Sequence, residues 1–444
     1  MKRLLLLVGL VITIVGCTGD SAFPTPTGKG TVRAIHAIKG APDIAFLIEE
    51  TGLDAMSYKT SSVSRRWDDF EYRFNFEVGF LGEIELRRVA SRLLKVDANR
   101  DYTFVLTGAV TSPTITIWET DERIFDGTEM NFEARFAHTA PSLGAVDVYF
   151  ADPSTPPAVG EERGTLNFGE LLNPIDFEAG DYVLTMTTAG DPADVIFQSD
   201  TAAYAAQNAL IIPIFDGDET DVAPYVVRLL NGISGLTALP DVRFSPTIRF
   251  FQASIDLPPS DVYDDEMLTN QVLANHMYGD ISGDFSVPLG SIAYAYTAVG
   301  NTSAVQFTGN FAPIVGNHSN FVVVGNEGSR ATISYIPDRR SISTLAKVDF
   351  FHASTNHELL DLYVVDAGES IAEVNPTLSL SFSLVSPNVT LEAGSYDIYL
   401  TTLDEKTVVS GPLRHDVVLG DSTEFIILDE VDPATAEIKA IPTL

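Results

Sequence analysis

A single cysteine in 444 residues, Cys17, leaves the chain no intrachain disulfide partner and no other thiol for catalysis or zinc binding. Basic residues are scarce as well, with 27 Lys and Arg against 61 Asp and Glu, a formal charge of −34. Such a field repels phosphate backbones and anionic lipid surfaces, which excludes a nucleic-acid-binding role. Helical periodicity is nearly missing; the best stretch, residues 266–276, predicts one short helix. Gly-x-Ser-x-Gly, P-loop and His-Glu-x-x-His patterns do not occur. The nearest miss is "HELLD" at 357–361, where Asp361 stands in place of the second histidine. With so many carboxylates, a chance Asp/Glu pair carries no glycosidase signal without geometry. What remains is abundant apolar material, 45% of residues with 26 Phe and 15 Tyr, enough to bury several cores.

The N-terminus "MKRLLLLVGLVITIVGC" has two basic residues, an apolar run over 4–15, then Gly16 and Cys17. These are the regions of a secretory signal, and the run is shorter than the ~20 residues of a spanning helix. Ile14, Val15, Gly16 and Cys17 resemble the bacterial lipoprotein box. The resemblance implies cleavage before Cys17, lipid on its sulfur and attachment to a membrane by several acyl chains. Loss of Lys2 and Arg3 would move the charge from −34 to −36. Thr18, where an Asp would signal inner-membrane retention, points to the outer membrane. Residues 1–16 are thus read as signal peptide, and 17–30 as lipidated terminus and Pro/Gly-rich tether with a span of roughly 20 Å.

Beyond the tether the chain repeats. Four openings align: Arg33-Ala34-Ile35-His36, Arg135-Phe136-Ala137-His138, Arg249-Phe250-Phe251-Gln252 and Asp349-Phe350-Phe351-His352, offset by 102, 114 and 100 positions. An Asp follows seven residues later in the first copy and nine in the others: Asp43, Asp147, Asp261 and Asp361. An aromatic residue before a turn (Tyr58, Phe168, Tyr278, Phe382) and a glycine read as opening a strand (Gly79, Gly180, Gly290, Gly394) come next, 21, 12, 12 and 12 apart. Short β-rich segments broken by Gly, Asn, Asp and Pro at intervals near ten residues predict all-β sandwich domains. The expected organisation is four tandem immunoglobulin-like sandwiches over 31–128, 129–240, 241–342 and 343–444. Short joints predict touching neighbours and a semi-rigid rod of roughly 100–150 Å, with compact side-by-side packing as the other arrangement.

The segments "AHTAPSLGAVDVYFAD", "MYGDISGDFSVPLGS", "EAGSYDIYLTT" and "DYTFVLTG" resemble the domain of unknown function 4397 family. The resemblance runs from about residue 30 to the end. It implies tandem immunoglobulin-like sandwiches in secreted or surface-anchored bacterial proteins, and carries no established activity. The family's Ser-Pro after His-Ala is replaced here by Ile38-Lys39 in the first copy and Ser354-Thr355 in the fourth.

The repeated polar position is His36, His138, Gln252 and His352. Gln is no general base and a poor metal ligand, but shares with His a side-chain N–H that can donate to a carbonyl. A structural peg at the rim of the apolar face carrying Phe136 and Phe350 is expected, ahead of metal binding or catalysis. Asp43, Asp147, Asp261 and Asp361 would cap the adjoining loop or bond the peg. Two further features rise above background. The loop "FDGDETD" gathers Asp216, Asp218, Glu219 and Asp221, candidate Ca²⁺ ligands or a solvated turn, without the spacing of an EF-hand. "SSVSRRWDDFEYRF", read as an extended hairpin, brings together Arg65, Arg66 and Trp67 as candidate ligand contacts or as a strand pair with a buried Trp. The expected function is a non-enzymatic, lipid-anchored envelope protein for surface display, spacing or adhesion, meeting an envelope protein or a glycan. The alternative is a ligand- or carbohydrate-binding lipoprotein, Ca-assisted or not; no other cofactor is implied.

Overall fold

The computed structural model describes residues 25–232 and 235–441. Cys17 and the signal-like segment lie outside the described residues. Among these, strands joined by turns account for the regular structure, with one 3-10 turn at Ile371–Glu373. The helix expected over 266–276 is instead a turn followed by the strand Gln271–His276. Leu268 and Asn275 take positive φ (55° and 50°), which breaks a right-handed helix, and Leu273 pairs with Val262.

The strands form eight sheets. At the C-terminal end of the chain they run Ala346–His352, Leu359–Asp366, Leu378–Ser381, Val389–Leu391, Gly394–Thr402, Val408–Val417, Ser422–Asp429 and Ala436–Ala440. The fourth, first, seventh and eighth make one sheet in that order; the third, second, fifth and sixth make the other. Only the first and seventh are parallel, His352 lying opposite Ile427. The order recurs in the strands starting at Lys29, Asn131 and Thr247; the first set splits its fourth strand, and the second splits its sixth and adds Leu236–Leu239. Each set is a two-layer sandwich, as the sequence predicts. Its two layers group the first, fourth, seventh and eighth strands against the second, third, fifth and sixth, around a parallel central pair.

Alternation along each strand sends one side-chain set between the layers. Phe46, Phe74, Phe76 and Phe104 fill the first core, Phe132 and Phe150 the second, Tyr294 and Phe321 the third, and Phe350 and Phe425 the fourth. The opposite faces of the first and seventh strands are buried too. Ile35, Val105 and Trp118 of the first unit pack on Ala137, Ile211 and Phe215 of the second. Phe251 and Val322 of the third pack on Phe351 and Ile426 of the fourth. This explains the paired phenylalanines: Phe350 enters its own core, while Phe351 enters the seam with a neighbour. Strands covered on both faces read as continuous apolar runs, as "TEFIILDE" does.

The units therefore pack sheet against sheet in two pairs, first with second and third with fourth, in place of the rod. The pairs also touch: Val222 N–H donates to the Gly316 carbonyl (3.0 Å), and Ser343 N–H to the Gly40 carbonyl (2.8 Å). The expected joint around residue 340 is pinned as well, with the Asp338 carboxylate holding Arg340 (2.8 Å) and Lys347 (2.7 Å).

Candidate functional site

The four pegs end their first strands with their side chains buried. His36 Nδ1 accepts from the Ile38 N–H (3.1 Å), and Nε2 faces the Pro42 carbonyl (3.2 Å). His138 repeats this with Ala140 (3.3 Å) and Gly144 (2.9 Å). In Gln252, Oε1 accepts from Ser254 N–H (2.9 Å) and Nε2 donates to the Leu257 carbonyl (3.3 Å). An imidazole protonated on Nε2 and a glutamine amide thus present one acceptor and one donor to the same loop. His352 Nδ1 accepts from Ser354 N–H (3.3 Å). Burial pushes the His36 and His352 rings down to about 4, so both are neutral at pH 7. Tyr58, Phe168 and Phe382 stand edge-on to the three histidines.

The aspartates act elsewhere. Asp147 accepts from Thr165 Oγ1 and Gly190 N–H, Asp261 from Asn275 and Gly300 N–H, and Asp361 from Ser379 Oγ and Asp404 N–H. Each fastens the third strand to the turn between the fifth and sixth, and these bonds do not reach the pegs. Asp43 does not belong with them: it is exposed ahead of its strand, and Ala45, paired with Glu77, takes the place that Asp361 has opposite Thr401. The seven-residue step was a near match in a loop.

Gly79 is likewise out of register. It follows the strand Glu71–Val78, whereas Gly180 and Gly394 open theirs. The 21-residue spacing thus arises from a non-equivalent glycine, and "SSVSRRWDDFEYRF" holds the ordinary fourth strand and the start of the fifth. Alternation divides its candidate contacts. Trp67 packs on the first core beside Tyr72 (5.7 Å between rings), Arg66 pairs outward with Glu122 (2.8 Å), and Arg65 is exposed. Trp118 is buried in the seam and donates to the Gly169 carbonyl (3.0 Å).

The acidic loop is occupied by the protein's own groups. Lys59 of the first unit, itself buried, pairs with Asp218 (2.7 Å) and Asp221. Burial opposes ionisation of Asp218, but Lys59 and Thr220 hold it below the usual carboxylate range. Asp216 accepts from Ser142 Oγ (2.6 Å), and Glu219 from Ser341 N–H (3.1 Å). Among the described residues, no three His, Cys, Asp or Glu side chains gather as a metal site.

The site that sequence reasoning missed is a polar cleft of about 570 Å³ where the second, third and fourth units meet. Arg249, Asp284, Arg339, Asp349 and Glu424 line it. Asp284 holds Arg249 (3.2 Å) and Arg339 (3.3 Å). Glu424 accepts from Asn320 Nδ2 (3.0 and 2.9 Å) and from the Tyr335 hydroxyl. Asp349 lies in register beside Glu424 on the parallel strand, so their carboxyls share a face. Burial, then the neighbouring Glu424, push Asp349 up to about 8, and burial raises Glu424 as well. A signal was present: Asp349 stands where the other copies carry Arg33, Arg135 and Arg249, on a strand otherwise covered on both faces.

No family model matches the chain, and no curated protein matches it. Among solved structures, the Bacillus anthracis TIE protein aligns over 91% of this chain and 69% of its own, at 9% identity and a TM-score of 0.16. A likeness that low carries no argument about arrangement or activity. Any reading of function therefore rests on the residues themselves.

Proposed function

We propose that this is a non-enzymatic envelope protein, lipid-anchored through Cys17, that displays a paired-sandwich body on the cell envelope, with the outer membrane as its site. The carrying observation is that the repeated polar residues are spent on architecture: the pegs bond their own loops, and three of the four aspartates bond strands to turns. The sheet-to-sheet pairing favours a compact display or adhesion platform over an extended spacer. An envelope protein or a glycan is the partner class.

Protease shaving of intact cells, with mass spectrometry of the N-terminus, tests this. Loss of the protein with acylated Cys17 left behind supports outward display; full protection with the same terminus supports a periplasmic scaffold. An unmodified N-terminus overturns the anchored reading. A second reading, binding of a small ligand, is favoured by the cleft beside Asp349 and Glu424.

A further inference from the structure

We propose that this cleft binds a small organic cation, an alkylammonium or guanidinium compound, with its charge placed between Asp349 and Glu424. The inference rests on the ligand-binding reading and is independent of the anchor.

Asp349 is the unusual member of the cleft. It is 7% exposed and lines the cavity, yet its carboxyl makes no hydrogen bond or ion pair with another side chain among the described residues. A buried acid without a partner is costly, and two adjacent carboxyls in a poorly solvated site do not both ionise unless a positive charge joins them. Lys347 acts on Asp349, and Arg249 and Arg339 on Glu424, but these cations are held by Asp338 and Asp284, and a proton fills that role. A bound cation replaces the proton and gains two charge-assisted hydrogen bonds.

Glu424 is already oriented for this by Asn320 and Tyr335, with Tyr335 fixed by stacking on Phe351 (5.2 Å). Arg249 and Arg339 share Asp284, and although Arg339 Nη2 finds no acceptor among the described residues, seven carboxyl groups line the cleft against these two arginines, so its charge favours a cation over an anion. A hard metal ion is a poor fit, since Ca²⁺ seeks six to eight oxygens and no third metal-ligating residue joins the pair among the described residues. An ammonium offers three donors and needs only two or three acceptors. The volume suits a molecule of small-ligand size. The first pair differs here: Arg135, at the place of Asp349, lies beside Ile211, and the arginine pairs with Glu133 (2.9 Å) on its own strand.

The test is calorimetric titration of the full chain, purified in non-ionic detergent, with propylamine and putrescine, and with 1-butanol as the neutral control. Saturable binding of the amines is expected, with proton release and an affinity that rises from pH 6 to pH 9 as Asp349 gives up its proton. Asp349→Asn and Glu424→Gln should each weaken binding by about tenfold or more, the cost of one lost charge-assisted contact. Asp349→Asn keeps the shape of the side chain but cannot ionise, so its melting temperature serves as the check that it folds. Absence of saturable amine binding up to about 10 mM, the weak end of specific affinity, overturns the proposal. So does equal binding of 1-butanol, or a folded Asp349→Asn that binds like the parent with the same pH dependence. These outcomes leave the anchor untouched, just as an unmodified N-terminus would leave the cleft untouched.

Discussion

The two pairs are built to one plan and finished differently. In the first, the Tyr58 hydroxyl donates to the Asp216 carbonyl (2.8 Å) and Ser142 donates to the Asp216 carboxylate. In the second, Tyr278 donates to the Asp429 carbonyl (2.7 Å) and Ser354 to the Asp429 carboxylate. Apolar side chains fill the middle of both seams. At the far end they part: Arg135, at the place of Asp349, is matched by Glu133 (2.9 Å), while the second pair sets two acids side by side at the edge of a cleft. An interface needed only for cohesion has its polar groups matched, so an unmatched buried carboxyl in an otherwise equivalent seam marks a place where something besides cohesion is built.

Substitutions that break one pair and spare the other test this contrast, starting with the largest effect. Phe351→Ala should cost about 3–5 kcal/mol through lost burial and a cavity, and Phe215→Ala should give a comparable loss in the first pair. Chemical denaturation checks both; a loss under 1 kcal/mol for either would mean that its seam is loosely packed. Lys59→Met leaves Asp218 and Asp221 buried without their cation and should cost about 3 kcal/mol, with no counterpart in the second pair. His352→Leu should cost about 2 kcal/mol by stranding loop groups, while His352→Gln, which copies Gln252, should cost under about 1 kcal/mol.

The acids of the cleft give the comparison a pH axis. Burial and the neighbouring Glu424 push Asp349 up to about 8 in the fold, against its ordinary carboxylate value unfolded. The native state therefore holds the extra proton between those limits, and stability falls as pH rises from about 4 through 8. Asp349→Asn should remove that slope, gaining about 2 kcal/mol or more at pH 8 and little at pH 4, by thermal melts across pH. His36 and His352 act in the opposite direction: their rings sit at about 4 in the fold, so stability is lost as pH drops from about 6.5 through 4. The smallest expected effect is that of Tyr58→Phe and Tyr278→Phe, about 1 kcal/mol each, equal if the two seams are equivalent at that point.

Much of this was legible along the chain. Interval spacing and Gly/Asn/Asp breaks predict the sandwich class, and the exchange of His for Gln among four copies predicts a peg. Residue type without strand pairing is an unsafe guide to equivalence. Asp43 and Gly79 are the right residues at places one strand pairing shows to be wrong, because a register shift costs nothing in a sequence alignment and everything in a sheet.

Local chemistry by itself determined the β periodicity, the turns and the side-chain types that reach each core, since alternation and turn preference act over a few residues. The meeting of Phe351 with Phe251, of Lys59 with Asp218 and of Asp349 with a cleft was decided only by tertiary structure. Those contacts join residues about a hundred or more positions apart, and which buried face or charge finds which partner depends on how whole sheets stack.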